Sequence, residues 1–96
     1  MTNHDFYNAL KAEKERLMNE SKQAIRDCQI KHGEMSKAWN IVNVLESLGK
    51  FGTQELSNAY DNYEEASYAS MLADNHFDDI DEAIDKINGL MGLYEE

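Results

Sequence analysis

The sequence predicts an all-α fold: a long antiparallel helical hairpin, coiled-coil-like, that dimerises into a four-helix bundle. Three observations carry this prediction. The 96 residues contain no proline and only five glycines, and they are rich in Glu, Lys, Ala, Leu and Met, which favour helix. Apolar residues recur every seven positions through two long stretches, the mark of heptad packing. One cluster, Gly49-Lys50-Phe51-Gly52-Thr53, separates those stretches and has connector chemistry. The length suits one helical domain over residues 1–96, with a helix over about 4–48, a loop at 49–53 and a helix over about 54–94.

The first helix opens on Thr2, Asn3 and Asp5, which supply N-cap and first-turn chemistry. Its apolar columns then run to Leu48. Met18, Ile25, His32 and Trp39 form one column, and Ser21, Cys28, Met35 and Val42 form the next. Leu10, Leu17, Ala24, Lys31, Ala38 and Leu45 flank them. Gly33 falls inside this pattern. The columns keep one phase across it, so the helix is expected to continue, at a cost of about 1 kcal/mol relative to alanine.

Gly49 suits the left-handed position after a helix, and Thr53 suits the N-cap of the next, with Glu55 in its first turn. Phe51 is expected to fold back over the end of the hairpin. In the second helix, Leu56, Tyr63, Ser70, Phe77, Ile84 and Met91 form one column. Ala59, Ala66, Ala73, Ile80, Ile87 and Tyr94 form its partner, with Ala69, His76, Ala83 and Leu90 beside them. The phase holds across Asn75, so one helix is expected, fraying beyond Asn88-Gly89. A central loop pairs positions whose numbers sum to about 102–105. That register sets Trp39 against the small residues Ala66, Ala69 and Ser70. A hairpin buries one face of each helix, and three apolar columns are wider than that face. A homodimer uses the surplus.

The net charge of −10 is unevenly distributed. Residues 1–48 hold seven bases and seven acids. Residues 49–96 hold two bases, Lys50 and Lys86, against twelve acids, which is the whole excess. A surface of this kind repels nucleic acid and anionic membranes and attracts basic partners. The acids concentrate between Asp74 and Asp85, where Asp74, Asp78, Asp81 and Asp85 follow i, i+4, i+7 and i+11 and share one helix face. Asp79 and Glu82 widen that face, and Asp61, Glu64 and Glu65 extend the charge towards the loop. Such a ridge offers carboxylates where a nucleic acid offers phosphates, and it also serves simply as a solvated face. Tyr60 and Tyr68 lie off the seam beside these acids, where they suit either a binding surface or a dimer interface.

Other chemistries find less support. Asp78 to Glu82 lacks the glycine and ligand alternation of a calcium loop. Cys28 and His32 stand at i, i+4, and the register brings His76 towards them, a thiolate–imidazole set compatible with zinc, or equally a polar layer that sets the seam's register. Cys28 is the only cysteine, so no internal disulfide forms. No nucleophile motif or glycine-rich phosphate loop is present, and a helical hairpin offers little concave surface; no catalytic residue and no cofactor are expected. No apolar run is long enough to span a bilayer, and the N-terminus lacks signal-peptide order, so a cytoplasmic location is expected.

In length, hairpin shape and mid-chain Trp39 the chain resembles the small secreted WXG-type helical hairpins. Those carry Trp-x-Gly in the loop, whereas Trp39 here is followed by Asn40-Ile41 and precedes Gly49 within a helix. In being small, acidic, proline-free and helical it also resembles phage-encoded inhibitors that imitate DNA. The expected function is non-enzymatic. An acidic helical protein docks on a basic, nucleic-acid-binding protein through Asp74, Asp78, Asp79, Asp81, Glu82, Asp85, Asp61, Glu64 and Glu65. The alternative is a coiled-coil structural adaptor or chaperone that binds through its apolar seam.

Overall fold

The computed structural model describes the backbone of residues 3–94 and the side chains of residues 4–94. Two helices account for nearly all of them: α1, Asn3–Ser47, and α2, Gln54–Gly92, in hairpin order. No strand occurs among the described residues. The capping expected of Thr2 and the Asn3 side chain falls outside that range.

Neither helix breaks, at Gly33 or at Asn75. Gly33 is exposed and a Cβ there meets nothing within 4 Å, so the helix passes through it without strain. α2 also continues through Gly89 to Gly92 rather than fraying at Asn88, because Ile87 and the buried Met91 anchor its last turns.

The connector closes α1 with a Schellman motif. The Gly49 N–H donates to the Glu46 carbonyl and the Lys50 N–H to the Leu45 carbonyl, each at 3.0 Å. Gly49 and Gly52 take φ of 73° and 74°, the left-handed region where a side chain is strained. Thr53 then caps α2: the Leu56 N–H donates to its Oγ1 at 3.3 Å. Phe51 does not fold back; it is 68% exposed.

By their contacts the residues divide into two compact units, Met1–Ile25 with Asn75–Glu96, and Arg26–Asp74. In the first, Leu17, Ala24 and Ile80 form the core, with Phe77, Ala83, Ile84 and Ile87 packed on it. Phe6 meets Tyr94 edge to face at 5.1 Å. In the second, Val42, Leu56 and Ala59 are buried, with Leu45 and Tyr63 against them.

The α2 seam uses the two columns expected. The α1 seam is shifted by one column. Leu17 is 7% exposed, whereas its neighbour Met18 is 46% exposed, and Ile25 and Trp39 are similarly open. The inward columns are therefore Leu10–Leu17–Ala24–Lys31–Ala38–Leu45 and Ser21–Cys28–Met35–Val42. Small residues, Ser21, Ala24, Cys28 and Ala38, dominate that choice and permit close packing, while the bulky Met18, Ile25 and Trp39 are left on the flank. The indole accordingly does not sit in a small-residue pocket; it packs at a tilt on Tyr63, with centroids 4.9 Å apart.

Candidate acidic docking surface

The seam decides where the α2 acids go. With Phe77, Ile80, Ile84 and Ile87 turned inwards, the intervening Asp78, Asp79, Asp81, Glu82 and Asp85 are all exposed. These five belong to the first unit. Asp78, Asp81 and Asp85 are spaced i, i+3, i+7 and lie along one side of the helix. Glu82 has the Lys86 ammonium 3.5 Å away, an exposed pair of modest strength. Among the described residues, Asp78, Asp79, Asp81 and Asp85 have no Lys or Arg in ion-pair range.

In the second unit Asp61, Glu64 and Glu65 are exposed on α2. Asp74 is placed differently. It lies across from α1, where His32 Nε2 approaches its two carboxylate oxygens at 3.0 and 3.2 Å. A carboxylate only accepts, so Nε2 carries the proton. The hydrogen bond from His32, and then that from Cys28, holds the Asp74 carboxyl below its ordinary pKa of 3.8. Cys28, His32 and Asp74 thus form a polar layer on the flank of the seam, as the i, i+4 spacing of Cys28 and His32 allows. Among the described residues, no three His, Cys, Asp or Glu side chains are arranged to hold a metal ion.

Of the tyrosines off the seam, Tyr60 donates its hydroxyl to the Glu46 carboxylate on α1, which raises the phenol's pKa. Tyr68 remains open to solvent. Trp39 and Tyr63, with Met35, Ser36 and Asn40, line a shallow depression of about 210 Å³.

An apolar stripe outside the predicted columns runs along the last turns of α1 and its C-cap. Ile41, Val44 and Leu48 are all more than half exposed. Their i, i+3, i+7 spacing outside the two seam columns was the available signal. Among the described residues, no helix is long and apolar enough to cross a membrane.

No protein-family model, no curated protein and no solved structure matches this chain.

Proposed function

We propose that this chain is a non-enzymatic, cytoplasmic acidic binding protein that docks on a basic protein surface. In its sharpest form it is a phage-type inhibitor that fills a nucleic-acid-binding site as a DNA mimic, without itself binding nucleic acid or membrane. The observation that carries this reading is the row Asp78, Asp81 and Asp85: exposed, without a basic partner among the described residues, and held on a helix whose inward side is fixed by Ile80 and Ile84. Successive carboxylates on such a row are about 5–6 Å apart. That is comparable to the spacing of phosphates along a strand, so Lys and Arg side chains placed for a nucleic acid can donate to them instead. Because these three carboxylates are exposed and, among the described residues, have no Lys or Arg in ion-pair range, docking does not first require breaking internal ion pairs. Asp61, Glu64 and Glu65 add a long-range field that speeds encounter with a basic partner.

The test is a low-salt capture from the native host with the wild-type chain and with D78K/D81K/D85K. These substitutions are on the exposed side of α2 and should leave the helical circular dichroism signal intact. Loss of the captured basic partner supports the reading. Retention of the same partner by the triple variant overturns it.

A second reading, an adaptor that docks through apolar contacts, is favoured by the exposed Ile41, Val44 and Leu48. Salt separates the two. Acidic docking weakens steeply as ionic strength rises, and apolar docking does not.

A further inference from the structure

We infer that the Ile41–Val44–Leu48 face of α1 is a self-association surface, and that its occupant is the same face of a second copy of this chain. This face lies within the second unit, apart from the acidic row on the first.

The first support is shape. Val42 and Leu45 point into the seam, while Ile41, Val44 and Leu48 form a separate stripe spaced i, i+3, i+7. Phe51, in the connector, is exposed as well. Beside the stripe, Asn40, Ile41, Val44 and Leu45 line an open, nearly all-apolar depression of about 230 Å³, large enough to receive a side chain. Such a stripe meets its own copy across a two-fold axis without any further complementary surface being needed.

The second is charge. In this unit α1 carries Arg26, Lys31 and Lys37 against Asp27, Glu34 and Glu46, and is neutral. The α2 segment of the same unit carries Glu55, Asp61, Glu64, Glu65 and Asp74 and no base. Two copies of a chain with a net charge of −10 repel through α2. They approach best through α1, where Lys37 and the Lys31–Glu34 pair, just before the stripe, leave no net repulsion of the kind α2 carries.

The third is area. The buried apolar residues of this unit are Val42, Leu56 and Ala59, a small core for two helices. Ile41, Val44 and Leu48, each more than half exposed, are the apolar surface this unit leaves uncovered, and a stable interface buries roughly 800 Å² per partner around such an apolar centre. A second copy therefore supplies the burial that this unit lacks and leaves the unit's acidic α2 segment out of the contact.

The test uses the full chain. Light scattering after size exclusion, at roughly 10 to 100 µM, should give twice the 11.0 kDa chain mass. V44D should halve that mass. Should V44D unfold, cross-linking decides the matter. In a C28S background, V44C treated with a short bis-maleimide should give a covalent dimer, and E65C, on the acidic helix, should not. A wild-type chain that stays at 11.0 kDa across that range overturns the inference and leaves the stripe to another partner. So does a dimer that cross-links through E65C and not V44C.

Discussion

Gly33 and Gly49 show how differently the same residue behaves within one helix and just after it. Gly33 lies in the exposed interior of α1 with open space where a Cβ would go. Replacing it with alanine should stabilise the chain by about 1 kcal/mol, read as a higher midpoint in chemical denaturation. Gly49 holds φ at 73° to end that helix, so G49A should cost about 1 kcal/mol by the same measurement. Asp74 makes a prediction about acid. Its folded-state pKa is depressed by His32 and Cys28, so its contribution to stability is present above its ordinary pKa of 3.8 and is lost as pH falls through the lower folded value. D74N should flatten the stability–pH profile below pH 3.8 relative to wild type, followed by thermal melts across the acid range. Gly33 and Gly49 were legible from the sequence because each depends on local phase and turn chemistry. The Asp74–His32 contact was not, because counting along α2 puts Asp74 in line with Asp78 and Asp85. Only the partner helix reveals that its carboxylate is already bonded.

At the scale of the helix, the question is which columns face inwards. Heptad counting finds three apolar columns on α1 and sets the Leu17 column on the flank, because period alone does not separate it from the Met18 column one residue on. On α2 the small–large order of Ala59, Tyr63, Ala66, Ser70, Ala73 and Phe77 leaves one consistent pair of columns, and counting finds it. The structure resolves α1 in favour of Leu17, Ala24 and Val42. Neighbouring truncations measure this directly. L17A should cost about 2–4 kcal/mol, as for other buried leucines, and M18A less than about 1 kcal/mol. Equal costs would mean that α1 is rotated from the position described. Trp39 was displaced for the same reason. Once Ala38 turns inwards, the indole falls on the flank, where Tyr63 is the available surface.

For the molecule as a whole, the charge division between the helices could be read from the sequence alone, and so could its hairpin order, because both follow from composition and period. What the acids meet could not, because a carboxylate row has the same spacing whether water or a basic groove lies opposite. In the proposed complex the row Asp78, Asp81 and Asp85 makes the contact. D78K/D81K/D85K moves the net charge from −10 to −4, two units per substitution. The most direct test is the affinity of the captured partner measured across a series of salt concentrations, for wild type and for this variant. Wild-type affinity should fall steeply as salt rises, and the variant should bind weakly with a nearly flat salt dependence. A wild-type affinity that is insensitive to salt, or a variant that matches it at every concentration, would contradict the claim.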